Sequence, residues 1–504
     1  MNAPQQHFKK TKDLALSLNR KRLTNWLLYN GYYPEQYVLP PKFKVMKFEL
    51  MSLPHYEITN NGKIYSPNVF TPVNISFPKS ALTAREYGII HPKIYHDFVW
   101  HIVNSWELII NHLFDDSTIV YSYSFPIPVT GKKKGYLGSL RAGRMIYEFI
   151  EMAENDLVAE SYKYKFILKT DISNFYPSIY THSLSWALHG KDLIRKKRNR
   201  TNYNYLGNIL DKLSQNANDG CTNGLLIGSA VSDLLSEIIL SGSDKQFSEE
   251  IKKKNIDILC VRFKDDYRFL CRNEEDAKNV LKILQSALSS YNLSLSENKT
   301  KIQEIPDGLY RDWKIKYQPH SLAKKTIIDF KTFEWALLNM LQIDKTCSNT
   351  GIIDTFISEL SNKKTMATKL VLKLNEVPKT MGLLLFLKQR RAKSFPSILA
   401  VIESIINTKK KDCLHDIAKD MLLKNRAIDD YDTIWVLYFI KYILKLKGAF
   451  KHTSENILVK SIQKNKQLFF NDDKNIILFD EKWEKENQNN LLYHLSIFNR
   501  KSRK

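Results

Sequence analysis

Apolar positions recur along most of this chain, and their spacing changes character twice. Over 14–30 and again over 98–113 they fall three and four residues apart, with Trp100, Ile102, Val103, Trp106, Ile109 and Ile110 on one stripe, which predicts helices with a core-facing side. Shorter runs then take over. Residues 121–129 read as β-like and Phe166–Asp171 as a buried strand ending in a carboxylate, with a helical pattern over 145–157 between them. A short helix is expected at 183–190, the stretch 223–232 opens a strongly apolar helical pattern that runs through 240, and another helix covers 274–291 before a strand or turn at 293–301. Beyond about 321 the pattern becomes serial helices at 333–341, 352–360, 380–388, 396–406, 414–423 and 434–446, separated by polar or Pro breaks. No strict repeat is visible, but the rhythm suits stacked helices of an α-repeat type.

Within this framework the stretch 261–270, V-R-F-K-D-D-Y-R-F-L, predicts two strands meeting at an acidic turn formed by Asp265 and Asp266. Two ionised carboxylates about 4 Å apart at an effective dielectric near 20 repel by roughly 4 kcal/mol, so such a tip needs a cation or a proton. An isolated Asp-Asp pair is more often only a good turn. Here Asp171 supplies another carboxylate at a strand end, costly to bury without a partner or metal. Gly224 and Gly228, with Ser229 and Ser232, precede the apolar helix and leave room for a backbone or ligand to approach.

The chain has 504 residues, 43% of them hydrophobic and 12% aromatic, enough for two or three domains with full cores. Its 76 Lys and Arg against 53 Asp and Glu give a net charge of +23, spread along the chain, which points to a polyanionic partner and to nucleic acid ahead of a membrane. Arg195, Lys196, Lys197, Arg198 and Arg200 form the densest basic run and suit a phosphate backbone; an exposed loop has the same composition. The basic turn at 132–135 and Arg141 could clamp a triphosphate, or be solvated. Cys221, Cys260, Cys271, Cys347 and Cys413 are scattered, without zinc spacing, and read as reduced, mostly buried thiols of a soluble cytoplasmic protein. No signal-peptide core or membrane-length apolar run stands out.

Asp171, the Gly-rich helix entry, the Asp265-Asp266 tip and Lys299 follow one another in the order of a palm-domain polymerase. The sequence resembles the reverse transcriptases, and more closely their bacterial defence-associated, abortive-infection group. The resemblance covers roughly 100–310 and is carried by D-I-S-N-F-Y-P-S-I (171–179), Y-T-H-S-L-S-W-A-L-H-G-K (180–191), G-L-L-I-G-S-A-V-S (224–232), F-K-D-D (263–266) and S-E-N-K-T (296–300). It implies an α+β fold with right-hand fingers and palm, followed by an all-α helical-repeat C-terminal domain. The expected division is 1–100 as N-terminal extension and start of the fingers, 101–320 as fingers and palm, and 321–504 as a helical domain replacing the thumb and contacting nucleic acid or further copies.

The resemblance also implies roles. Asp171, Asp265 and Asp266 are the catalytic residues, and with Ile172 they form the set that holds two Mg²⁺ ions, or Mn²⁺; oxygen ligands favour either over zinc. Tyr176 stands where these enzymes carry an aromatic steric gate against a ribose 2′-OH, so dNTPs are the expected substrates. Ile227, Gly228, Lys299 and Arg141 are the other expected nucleotide contacts. The implied reaction is RNA-directed DNA synthesis in anti-phage defence, on RNA that is a dedicated non-coding species, with a DNA product, no membrane and room for a homo-oligomer. This chain departs from the family at Leu226-Ile227-Gly228, where many members have Pro-Gln-Gly, and the amide that would meet the nucleotide is gone. Template-independent or protein-primed DNA synthesis therefore stays open, as does an inactive RNA-binding scaffold.

Overall fold

The computed structural model describes residues 1–49, 54–55, 68–79, 83–129, 135, 137–138, 155–362, 364–424, 429–446, 454–482 and 490–495. Arg141 and most of the helix expected at 145–157 lie outside them. The chain forms two compact units, one from Met1–Pro34, Lys47–Val73 and Gly88–Tyr310, the other from Glu35–Met46, Asn74–Tyr87 and Arg311–Lys504.

The first unit is built on a five-stranded sheet of β1 (Val120–Ser122), β2 (Phe166–Asp171), β3 (Ile258–Phe263), β4 (Asp266–Cys271) and β5 (Lys301–Glu304), in the order β1-β3-β4-β2-β5. β1 runs parallel to β3, and the remaining pairs are antiparallel. The expected 121–129 run is a strand only at its start, because Pro126 and Pro128 lack the N–H a ladder requires. The central strands bury Ile167, Leu168, Val261, Tyr267, Phe269 and Leu270 and so read as near-continuous apolar segments.

Around the sheet lie α1 (Ala3–Leu16), α2 (Arg20–Tyr29), α3 (Pro92–Asn104), α4 (Trp106–Leu113), α5 (Ser183–His189), α6 (Leu206–Ala217), α7 (Ala230–Lys253) and α8 (Glu274–Ser289). The single helical patterns read over 14–30 and 98–113 are each broken. The Asn19 side chain accepts the Lys21 N–H at 2.9 Å and starts α2 afresh, and Ser105 leaves helical geometry between α3 and α4. α7 extends past the predicted Leu240 to Lys253 and is buried on nearly every side, packing on α4, α5 and α8. Its buried polar side chains Asp233, Glu237 and Asp244 are accommodated by hydrogen bonds and ion pairs.

The second unit is mainly helical. Its main helices include α9 (Phe330–Thr346), α10 (Ile352–Glu359), α11 (Val377–Arg390), α12 (Phe395–Lys409), α13 (Cys413–Lys424) and α14 (Asp430–Tyr438), with α9 on α10, α10 and α11 on α12, and α13 on α11. Arg390 pairs with Asp344 at 2.9 Å, Arg391 with Asp354 at 2.8 Å, and Lys388 with buried Asp432. Early segments join this core: the Tyr431 hydroxyl donates to the Tyr37 carbonyl at 3.0 Å, and the Phe77 and Tyr431 rings meet edge-on at 5.1 Å. Of the five cysteines only Cys260 and Cys271 are buried; Cys221 and Cys413 are exposed, so the expectation of mostly buried thiols fails where those residues sit on polar turns and helix starts. No helix among the described residues is long and apolar enough to cross a membrane.

Candidate active site

Strand register brings the predicted carboxylates together. Asp171 ends β2 directly opposite Asp266, the first residue of β4, and Phe263 pairs with Asp266 so that Lys264 and Asp265 form a two-residue turn. Lys264 takes the positive φ such a turn demands, +53°, without being glycine. Its N–H donates to the Ser124 hydroxyl and its carbonyl accepts from Arg262 Nη1 at 3.2 Å, which holds the conformation. The Ile172 N–H donates to the Asp265 carbonyl at 3.0 Å, and the Asp171 carbonyl accepts the Ser296 N–H at 2.7 Å. The strand end, the hairpin tip and the segment leading to Lys299 are thus pinned by their backbones.

Lys299, in the single turn Glu297–Lys299, places Nζ 2.7 Å from Asp171 Oδ1. Burial and then the Asp171 charge push the Asp265 carboxyl up from its ordinary range. Burial, joined by Asp171 and Asp265 and opposed by Arg268 and Lys299, pushes Asp266 up to about 6. Crowded, half-buried carboxylates that hold protons too readily fit a hard divalent cation: the donors are all oxygen, and their electrostatic cost is relieved by positive charge. Ile172 can join only through its main-chain carbonyl, since its side chain is buried and its N–H is used by Asp265.

Tyr176 sits in the turn Phe175–Ser178 that follows β2, buried, and its hydroxyl donates to Asp233 Oδ1 in the first turn of α7. Burial and the Asp233 charge raise its pKa, so the phenol stays protonated. Lys264 Nζ reaches the same Asp233 oxygen at 3.2 Å and lies 6.0 Å from the centre of the Tyr176 ring. Asp233 therefore links the tyrosine to the hairpin tip. Sequence reading missed it, although an acid inside an otherwise apolar helix start was a usable signal.

The Gly-rich entry is also fixed. The N–H groups of Gly224 and Leu225 donate to the carbonyls of Ile179 at 2.8 Å and Tyr176 at 3.0 Å, and Ser229 caps α7 by accepting the Ser232 N–H. Gly228, at φ +140°, adopts a backbone that side chains resist. Ile227 is half-buried, and its carbonyl accepts the Gly88 N–H at 2.9 Å. Arg195, Lys196, Lys197, Arg198 and Arg200 are exposed on a turn held from inside by buried Asn199, whose side chain donates to the Leu193 carbonyl at 2.8 Å. The structure thus joins Asp171, Asp265, Asp266 and Lys299 in one cluster and ties Tyr176 to its tip, while the basic run lies on its own exposed turn.

The sheet, antiparallel except for the β1–β3 pair, thus gathers three carboxylates at the end of β2, in the β3–β4 turn and at the start of β4. Residues 135–341 match the family described as reverse transcriptase (RNA-dependent DNA polymerase). The chain thus carries a reverse-transcriptase domain, an enzyme domain of the nucleotidyltransferase class within an α+β fold. No curated protein matches the chain. Similar solved structures include the apo telomerase of Candida tropicalis truncated from the C-terminal domain (15% identity, 49% of this chain and 52% of that one, TM-score 0.32). The apo telomerase of the same species aligns at 12% identity over 83% of this chain and 72% of that one, TM-score 0.34. Its complex with a TWJ fragment of telomeric RNA aligns at 13% over 74% and 64%, TM-score 0.31. The chain spans about half the length of the first of these structures.

Proposed function

We propose that this protein is an RNA-directed DNA polymerase whose active centre is the Asp171, Asp265 and Asp266 cluster. The observation that carries the reading is the register that sets Asp171 against Asp266 with Lys299 2.7 Å from Asp171. The three carboxylates, with the Ile172 carbonyl beside them, would hold two Mg²⁺ ions, which when bound activate the primer hydroxyl and neutralise the triphosphate. Lys299 brings an ammonium group suited to the leaving pyrophosphate. The Tyr176 ring, anchored through its hydroxyl to Asp233, excludes a ribose 2′-OH and selects dNTPs. Gly228 gives the nucleotide close access to backbone, and Ile227 packs against its sugar or base. Arg141 supplies a fingers contact to the triphosphate, and the exposed turn at 195–200 takes the phosphates of the RNA or its DNA copy.

The motif resemblance at 171–191 and 224–232 supports a role in anti-phage defence in the cytoplasm, on a dedicated non-coding RNA and in a homo-oligomer. The helical second unit would then serve in place of a thumb. Ile227, apolar where an amide is usual, favours a second reading in which the same centre makes DNA without a template or from a protein primer.

Labelled dNTP incorporation by the purified chain with its co-purifying nucleic acid, with and without RNase, followed by sequencing of the product, separates the readings. DNA of one defined sequence, abolished by RNase, supports RNA-directed synthesis. RNase-resistant DNA of arbitrary sequence replaces it with the second reading. Phage plating on hosts expressing the wild type or Asp265→Ala tests the defence role, which requires protection only from the wild type.

A further inference from the structure

A second cluster of ligand-type side chains lies in the first unit on elements that contribute nothing to the carboxylate cluster. α3 carries His96 and Asp97, both fully buried, and the short described stretch 54–55 brings His55 against them. The Asp97 carboxylate accepts the His55 backbone N–H at 2.8 Å and lies 3.1 Å from His96 Nδ1, while the His55 and His96 rings meet edge-on at 4.6 Å. One ligand atom from each of the three residues lies within 4.8 Å of the other two.

We propose that His55, His96 and Asp97 form a structural site for a divalent transition-metal ion, zinc by preference. Two imidazoles and one carboxylate are the donor set that borderline divalent ions select, whereas magnesium favours oxygen alone. Ligands about 2.0 Å from a tetrahedral centre stand about 3.3 Å from one another. The 3.1 Å between His96 and Asp97 is already close to that edge, and on metal binding the half-buried His55 ring would turn to close the third. A carboxylate this deep among imidazoles concentrates negative charge that a divalent ion neutralises. His101, one turn beyond Asp97 and near enough to feel both Asp97 and His96, is pushed down to about 4 by burial and stays neutral at physiological pH. It adds no competing positive charge. The ion would fasten the 54–55 stretch to α3, two parts of the chain that are otherwise far apart in sequence, and so stabilise this part of the unit. Sequence spacing could not disclose the site, because His55 is remote from the other two.

The test uses the full, untagged chain, purified in magnesium buffer and offered Zn²⁺ alone. About one zinc per chain should survive gel filtration, with a rise in the thermal midpoint, and Co²⁺ in its place should give the visible bands of a low-symmetry, four- or five-coordinate ion. His55→Gln, which keeps the backbone N–H to Asp97, should lose the zinc and the Co²⁺ bands while its circular dichroism stays native. His96→Gln should behave the same way; if burial makes it unfold, His55→Gln alone decides. Zinc content unchanged in a folded His55→Gln overturns the proposal, as does zinc that disappears only in Asp265→Asn, which would assign it to the carboxylate cluster. Wild-type protein that retains no zinc after exposure overturns it equally.

Discussion

The hairpin of β3 and β4 carries buried acidic chemistry in two places, and they are built differently. Behind the sheet, the Arg262 guanidinium donates to Glu237 at 2.9 Å and to Asp244 at 2.8 Å, the Tyr267 hydroxyl adds a bond to Asp244 at 2.8 Å, and Ser122 adds one to Glu237. Arg262 is fully buried, and although burial alone would lower its pKa, Asp244 and Glu237 raise it. Burial lifts Asp244 to about 6 against the pull of Arg262 and Tyr267. At the tip, Asp171, Asp265 and Asp266 are only half-buried and have Lys299 as their close ionic partner. The first cluster is closed by its own cation and hydrogen bonds and holds β3 and β4 to α7. The second sets three carboxylates against Lys299 and Arg268, and on the proposed function it is electrostatically unfinished until a substrate-bound or solution cation joins it. Acid content does not distinguish the two; the supply of positive charge does.

Substitutions should separate the clusters cleanly. Asp171→Asn or Asp265→Asn should lower dNTP incorporation by about three orders of magnitude, the several kcal/mol that charge stabilisation supplies. Asp265→Asn should melt no earlier than wild type in metal-free buffer, because burial and the Asp171 charge disfavour its ionised form. Arg262→Met should do the reverse in stability: it strands Glu237 and Asp244 and should cost about 3–5 kcal/mol in urea unfolding.

Proton competition gives a smaller effect with a defined sign. Asp266 titrates near 6 in the folded chain against an ordinary 3.8, so its proton binds more tightly when folded. Metal-free protein should therefore lose stability as pH rises from about 4 through 6, and Mg²⁺ should restore it above that range. The Mg²⁺ concentration for half-maximal incorporation should rise about tenfold between pH 7 and pH 5. Smallest is Asp233→Asn. The amide oxygen can still accept from Tyr176 while the ion pair with Lys264 is lost, so discrimination between dNTPs and rNTPs should fall a few-fold, about 1 kcal/mol. Asp233→Ala, which frees the ring as well, should lower it further.

The contrast also explains what could be read from the chain. The strand ending at Asp171, the acidic hairpin and the helix after Gly228 were legible because period-two and apolar patterns change to turn chemistry at those points. So was the helical character after 321. The breaks at Ser17–Asn19 and Ser105 were not, since the Asn19 side chain that caps α2 and the local departure of the Ser105 backbone from helical geometry interrupt an apolar stripe without altering it. Helix α6 was missed because it mixes Asn208, Asp211 and Asn216 into its buried face, where they are held by tertiary partners such as His182 on Asp211. The role of Asp233 depends on a contact with Tyr176 from a separate element, and the acquisition of residues 35–46 and 74–87 by the helical unit depends on packing far along the chain. Long-range pairing of this kind leaves no local period.

The central claim is that the unfinished cluster at the hairpin tip is the catalytic centre. It is tested most directly by comparing wild type with Asp265→Asn in labelled dNTP incorporation on an RNA template annealed to a DNA primer, with and without Mg²⁺. Magnesium-dependent extension by the wild type, absent from a variant that melts at least as high, is the predicted result. Extension at the wild-type rate by Asp265→Asn would contradict it.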